Sequence, residues 1–209
     1  MTAFSNKEYE YNPEQEHNKE VVAAYHEFMM QYDYELFSIE DEEELAEVER
    51  KLIAFIVEES GYLEPYLNLL GIYGTQNEQE KYDLLLEQTY LVALRHIKDK
   101  SGAWPKLIEW AWLENRCIIR ALQNGAIKRW KEGKTEEAKQ VLQNLLKVNP
   151  RDNSSVRYHL LAVLEGMSVE AFDKKIGDTG LIPPSIPKWF IKKAKAHKEF
   201  DEWLALEFE

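Results

Sequence analysis

The chain has 209 residues, of which 44% are hydrophobic and 12% aromatic, with only 9 glycines and 7 prolines. This composition excludes a disordered or fibrous protein and disfavours an all-β fold, which needs more turn residues. The 38 acidic residues outnumber the 26 basic ones, and the formal net charge of −12 repels nucleic acid. The single cysteine, Cys117, fits a reducing compartment. Since neither a signal peptide nor a long apolar run is present, we expect a cytoplasmic protein that does not enter a membrane.

The first half of the chain predicts a polar arm followed by four helices. Residues 1–16 are polar and predict a loosely packed arm. Ser38 is expected to cap the second helix and Gly61 to end it, whereas Pro65 and Gly74 delimit the third. Apolar residues that recur at steps of three and four predict helices over these ranges: 21–32, 38–60, 65–74 and 77–98.

The next segment is dense in tryptophan. Trp104, Trp110 and Trp112 lie within ten residues, which predicts a segment buried from more than one side and leaves open whether it is helical. Beyond Glu114 the helical periodicity resumes and runs to Glu132.

A short pattern occurs twice, 33 residues apart. The segments 132–138 and 165–171 share the sequence Glu-Gly-x-Thr/Ser-x-Glu-Ala. Glycine can end one helix, the hydroxyl residue can cap the next, and alanine lets two helices approach closely. A repeat of this length indicates stacked supersecondary units. We therefore predict two hairpins, formed by helices at these ranges: 114–132 with 135–148, and 153–165 with 168–175.

Residues 119–152 resemble one unit of the tetratricopeptide repeat family. The resemblance implies an all-α fold over residues 17–176, built as a right-handed stack of antiparallel helix hairpins, a tetratricopeptide-like α-solenoid. The matching positions are two small residues, a turn glycine, a large apolar residue and a closing proline: Ala126, Ala138, Gly133, Leu142 and Pro150.

The C-terminal segment, residues 177–209, has a different pattern. Its prolines predict an extended connection over 177–187, because consecutive prolines do not fit a helix. Residues 188–206 predict one amphipathic helix that caps the last apolar face of the stack. This helix begins with five lysines and no acid, so we expect the lysines to face acidic surface of the same chain. A nucleic-acid or membrane patch is the competing interpretation.

Motifs for catalysis and metal binding are missing from the sequence. The five histidines do not have metal-ligand spacing, and neither a nucleophile elbow nor a glycine-rich phosphate loop is present. Cys117 lies in an apolar run and is predicted to be a core thiol. The acidic run 40–44 is explained by its position at a helix start. We therefore predict no catalytic residue, no metal and no cofactor.

The candidate binding residues follow from spacing and from the resemblance. Arg116, Arg120, Asn124 and Lys128 recur at steps of four and form one polar row on a helix. The resemblance implies that first helices of the repeats line a groove for a protein or peptide, often held by its terminal carboxylate. By position in the motif, Arg120 and Asn124 belong to that groove, with Arg157 in the next unit. Guanidinium groups bind carboxylates bidentately.

These residues predict a non-enzymatic protein-binding module or scaffold with a protein or peptide partner that bears a carboxylate. Three alternatives remain open at this stage. The arginines can pair with carboxylates of the chain itself, or the groove can be filled by the chain's own C-terminal segment. The third alternative is a small enzyme or regulatory domain with a tryptophan-lined pocket: Trp104, Trp110, Trp112 and Trp130.

Overall fold

The computed structural model describes residues 17–32, 36–99, 101–177 and 182–207. Over these residues the chain is all-α, as predicted, with short 3-10 turns and no β-strand. The predicted arm at 1–16 lies outside the described residues. Among the helices that the structure describes, none has the length and apolar character to cross a membrane. The α-helices are α1 Lys19–Met29, α2 Glu42–Glu58, α3 Leu63–Thr75, α4 Gln79–Ile97, α5 Leu113–Lys131, α6 Thr135–Val148, α7 Val156–Leu164, α8 Val169–Ile176, α9 Ser185–Lys193 and α10 Asp201–Glu207.

The chain divides into two compact units. The N-terminal unit contains the described residues up to Gly102 and the segment Ala111–Ala121. The C-terminal unit contains Ala103–Trp110 and the described residues from Leu122 onward. Helix α5 therefore begins in one unit and ends in the other.

In the N-terminal unit, α3 packs against both α2 and α4. Its inward side chains are large, and Tyr66, Leu69 and Ile72 are all buried. Helix α1 is held by Tyr25, whose hydroxyl accepts a hydrogen bond of 2.5 Å from Asn68 Nδ2. The Tyr25 ring also meets Tyr62 edge to face at 5.1 Å between centroids, so an aromatic contact and a hydrogen bond both fix α1.

Both predicted caps of α2 are wrong. Ser38 ends a 3-10 turn over Leu36–Ser38, and α2 is capped instead by Asp41, whose carboxylate accepts a 2.8 Å hydrogen bond from Glu44 N. Both residues are good N-caps, so their local preference does not choose between them. Gly61 lies beyond the end of α2, whose C-cap is Glu59.

One turn geometry ends three helices. After α5, Gly133 has φ +79° and the Lys134 amide donates to the Arg129 carbonyl at 2.8 Å. After α7, Gly166 has φ +68° and the Met167 amide donates to the Ala162 carbonyl at 3.0 Å. The two glycines of the repeated pattern thus form the same Schellman turn.

The third turn of this kind follows α3, where the sequence pattern is different. Asn77 has φ +57°, and the Glu78 amide donates to the Tyr73 carbonyl at 2.9 Å. The turn therefore pivots on Asn77, although Gly74 was predicted to end this helix. Asparagine is the residue that most often replaces glycine in this left-handed position. The turns join α3 to α4, α5 to α6 and α7 to α8.

The two copies of the pattern differ after the turn. Helix α6 begins two residues after Gly133, whereas α8 begins three residues after Gly166, with Ser168 as its N-cap. Helix α8 thus begins one residue later in the pattern than α6, and the buried position shifts with it. As a result, Ala138 is fully buried but Ala171 is exposed. Phe172 takes the buried position.

The tryptophan-rich segment is not helical before Leu113. In the C-terminal unit, the Ile108 amide donates to the Val148 carbonyl at 2.7 Å. Asn149 Nδ2 in turn donates to the Ile108 carbonyl at 3.0 Å. Because both backbone groups of Ile108 are bonded to the end of α6, the segment gains hydrogen bonds that a helix would otherwise provide.

The C-terminal segment differs from the single predicted helix. Helix α9 begins at Ser185, so Pro187 lies in its first turn, where the missing amide hydrogen costs no helical bond. Two short 3-10 turns, Ala194–Ala196 and Lys198–Phe200, separate α9 from α10. The Trp203 indole donates to the Pro150 carbonyl at 2.8 Å, and α9 packs against α7.

Candidate functional site

The predicted row of polar residues lies on α5. Steps of four keep the side chains on one slowly rotating face of a helix. Helix α5 has five basic residues and one acidic residue, a formal charge of +4 in a chain of −12. The four members of the row are Arg116, Arg120, Asn124 and Lys128.

Burial differs along the row. Arg120 is exposed, whereas Arg116 and Asn124 are half-buried. Arg116 and Arg120 belong to the N-terminal unit, and Asn124 and Lys128 to the C-terminal unit. The row therefore offers one exposed guanidinium, Arg120, with polar neighbours one turn away on either side along the same helix.

Lys128 is engaged by a carboxylate of the turn that follows its helix. Its Nζ is paired with Glu132, and Lys134 Nζ lies 2.9 Å from the other oxygen of that carboxylate. The hydrogen bonds from these two lysines lower the pKa of Glu132 to about 2. Because Glu132 is exposed, water screens the pair and its contribution to stability is small.

Arg157 is half-buried and is held by several partners of the C-terminal unit. Its Nη1 lies 2.6 Å from Asp152 Oδ2, and its Nη2 donates to the Tyr158 hydroxyl at 2.7 Å. The guanidinium also lies over the rings of Phe190 and Trp203, at 5.9 Å and 5.5 Å from their centroids. Arg157 thus connects the start of α7 to the C-terminal segment through an ion pair and cation–π contacts.

The Asp152 carboxylate is buried and organises the start of α7. It accepts hydrogen bonds from the Val156 amide at 2.6 Å and the Arg157 amide at 3.2 Å. Burial raises the pKa of Asp152 to about 6, although the charge and hydrogen bonds of Arg157 act to lower it. Asp152 could not be predicted from helical periodicity, because it lies in a loop. The signal available in the sequence was an acidic residue five positions before Arg157.

A second contact attaches the C-terminal segment to α7. Lys193 Nζ lies 2.7 Å from Glu165 Oε2, and His197 Nε2 lies 2.8 Å from Glu165 Oε1. These hydrogen bonds, from Lys193 and then His197, lower the pKa of the Glu165 carboxyl. Lys193 therefore faces an acid of the same chain, as the sequence predicted for all five lysines. The other four are exposed, so the prediction is wrong for them: Lys188, Lys192, Lys195 and Lys198.

Cys117 lies at a small polar cavity inside the N-terminal unit. The cavity is lined also by His17, Tyr62, Glu64 and His96, and His96 Nε2 donates to the Gly61 carbonyl at 2.7 Å. Burial, and then the charge of Glu64, raises the pKa of the Cys117 thiol to about 12. A protonated thiol is a poor nucleophile. The described residues contain no cluster of His, Cys, Asp and Glu that could hold a metal ion.

Trp130, one of the four tryptophans considered for a pocket, has a packing role. Its indole donates to the Met167 carbonyl at 3.0 Å, and its ring contacts Phe172 at 6.0 Å between centroids. Trp104 and Trp110 are half-buried in the C-terminal unit, and Trp112 is half-buried in the N-terminal unit.

No known family model, curated protein or solved structure matches this chain.

Proposed function

We propose that this chain is a non-enzymatic protein-binding module of the tetratricopeptide type, whose polar row on α5 holds a carboxylate of a protein or peptide partner. The observation that carries the proposal is the shared turn geometry at Asn77, Gly133 and Gly166. Three helix pairs joined by one turn type are expected of a helical-repeat protein, and such proteins commonly present extended binding surfaces.

The packing around the resembling unit supports the same interpretation. Ala126 and Ala138, the two small residues of that unit, are both fully buried. Helix α6 packs along α7, which is the neighbour relationship expected between consecutive repeats. We also propose a cytoplasmic location, because a chain with one unpaired, buried cysteine suits a reducing compartment.

In this proposal Arg120 is the principal ligand residue, because it is the exposed guanidinium of the row. Asn124 adds an amide one turn away, and the charge of +4 on α5 attracts an anionic group. Arg157 supports the fold rather than the ligand, since a ligand carboxylate would have to displace Asp152 from it.

A displayed library of random peptides with free C-terminal carboxylates tests this function. We expect the wild-type protein to enrich a defined peptide class and Arg120→Ala to lose that enrichment. Arg95→Ala is the matched control, because Arg95 is an exposed arginine of α4 in the same unit. Equal enrichment by the wild type and by Arg120→Ala would reject the row as the binding site.

A further inference from the structure

The segment from Ser185 to Lys198 is the most basic stretch of the chain. It has five lysines and no acidic residue. Among the residues that the structure describes, Lys193 is the lysine of this segment that pairs with an acid at the end of α7, Glu165. The remaining four are exposed: Lys188, Lys192, Lys195 and Lys198.

Three of these lysines share one face with an exposed isoleucine. These residues follow one another at steps of three, one and three, which places them on one side of α9 and the turn after it: Lys188, Ile191, Lys192 and Lys195. Ile191 is 65% exposed. The opposite side carries the buried residues Ile186, Phe190 and Ala194. We name the outward side, formed by Lys188, Ile191, Lys192 and Lys195, the lysine face.

The lysine face is electrostatically unfavourable in the isolated protein. Lys188 and Lys192 are like charges four residues apart, and Lys188 lies near the positive end of the helix dipole. Anions that bind here relieve both repulsions. This local concentration of positive charge, on a chain of net charge −12, makes the face suited to an anionic partner.

We propose that the lysine face docks an acidic segment of another protein, one in which an aliphatic residue is flanked by carboxylates. Ile191 supplies the apolar contact, and Lys188, Lys192 and Lys195 surround it with positive charge. This surface lies on a different helix from the polar row of α5, so the inference goes beyond the proposed function.

Two features favour an acidic protein segment over other polyanions. A membrane surface would need more apolar area than one exposed isoleucine on a nine-residue helix. Single-stranded nucleic acid is bound by aromatic stacking. The tryptophan of α9, Trp189, already contacts the Phe172 ring, at 6.1 Å between centroids, and Lys175 Nζ, at 5.1 Å from its centroid.

A labelled peptide of about fifteen residues with the repeat Glu-Glu-Leu is the probe, and its binding is measured by fluorescence anisotropy at low ionic strength. We expect the triple variant Lys188→Gln, Lys192→Gln, Lys195→Gln to weaken binding about tenfold or more, and Ile191→Ser to weaken it about fivefold. The matched triple Lys51→Gln, Lys98→Gln, Lys106→Gln removes the same charge from exposed lysines elsewhere and should change affinity less than about twofold. Circular dichroism verifies that each variant is folded.

The control peptide with the repeat Glu-Glu-Ser should bind the wild type and Ile191→Ser equally, because the apolar contact is then missing from both. The proposal is overturned if the two triple variants weaken binding equally, or if the probe binds no better than a Gln-Gln-Leu peptide. The proposal is also overturned if phosphatidylserine vesicles or duplex DNA bind through the same lysines more tightly than the Glu-Glu-Leu probe does. The probe carries a C-terminal amide, so that it lacks the terminal carboxylate proposed to bind the α5 row. Arg120→Ala should therefore leave probe binding unchanged, which separates this surface from the α5 row.

Discussion

Asn77 and Gly133 occupy the same position in two different helix-ending turns. Both have a left-handed backbone, with φ +57° and +79°, and in both the next amide donates to the carbonyl five residues before it. Gly166 forms the third such turn. The relationship shows that the helix-to-helix connection is repeated even where the sequence pattern is not.

Replacing the turn glycines with alanine should destabilise the protein. Gly133→Ala and Gly166→Ala put a Cβ into a left-handed conformation, and since nothing lies within 4 Å of either added Cβ, the cost is conformational. We expect each variant to lose about 1 to 2 kcal/mol of unfolding free energy, measured by urea denaturation. Gly74→Ala is the control, because Gly74 is inside α3 with its nearest neighbour at 3.8 Å, and it should be neutral or stabilising.

Asn77→Gly should be tolerated at this turn, with a change in unfolding free energy below about 1 kcal/mol. Asn77→Val should cost more than Asn77→Gly, because a β-branched residue is poorly accommodated at positive φ. Equal stabilities of these two variants would show that the position does not require a left-handed backbone.

Local signals in the sequence predicted most of the helices. The range 135–148 was predicted as α6 and is observed as Thr135–Val148, because Gly133 and the acidic first turn mark its start unambiguously. Local signals failed where tertiary contacts decide. The sequence predicts that Pro187 breaks a helix, yet it lies in the first turn of α9. The residue before it, Ile186, is fully buried. The expected burial of Ala171 is wrong because α8 begins one residue later in the pattern than α6, and Phe172 is buried instead.

Gly71 and Phe37 should be strongly coupled in a double-mutant cycle. A Cβ on Gly71 would clash with Phe37 Cε1, so the Phe37 ring must move away. In the Phe37→Ala background this clash is removed, and Gly71→Ala should stabilise α3 by up to about 1 kcal/mol through helix propensity. In the wild-type background the gain should be lost. A coupling energy below about 0.3 kcal/mol would contradict this packing.

The contribution of His159 to the unfolding free energy should fall between about pH 6.5 and pH 4. Its ring packs against Phe172 at 5.0 Å, and its Nδ1 lies 3.4 Å from Gln123 Nε2. Burial lowers the pKa of His159 to about 4, so the unfolded chain binds the proton first as the pH drops. The stabilisation is present above the ordinary histidine pKa and is lost as the pH falls towards the folded value.

The contribution of His159 to the unfolding free energy should change by about 2 to 3 kcal/mol between about pH 6.5 and pH 4. His159→Gln removes the titrating ring, so the difference in stability between wild type and variant should itself change with pH. Chemical denaturation at a series of pH values measures it. Parallel pH profiles for the two proteins would exclude His159 as the origin.

Arg157→Ala should destabilise the protein by about 3 kcal/mol at about pH 7.5, because it leaves the buried Asp152 carboxylate without its cation. The loss should be smaller at about pH 5, below the Asp152 pKa of about 6, where the carboxyl is protonated. Arg151→Ala is the control, since Arg151 is exposed, and it should change stability by less than about 0.5 kcal/mol. A pH-independent loss would contradict the role of the ion pair.

The candidate site was only partly predictable from the sequence. Helical spacing placed Arg120 and Asn124 on one row of α5, and a continuous helix confirms that spacing. Position in the repeat motif grouped Arg157 with them, although its guanidinium is held by Asp152 and Tyr158. Periodicity reports which residues share a helix face, but it carries no information about loop carboxylates that fold back onto that helix.

The most direct test of the binding proposal compares one selected peptide in two forms, with a free C-terminal carboxylate and with a C-terminal amide. Isothermal titration calorimetry should show the carboxylate form binding the wild type at least about tenfold more tightly. Arg120→Ala should bind the two forms alike, whereas the control Arg95→Ala should keep the wild-type difference. If the wild type binds both forms with the same affinity, or if Arg120→Ala preserves the difference, the polar row of α5 is not a carboxylate-binding site.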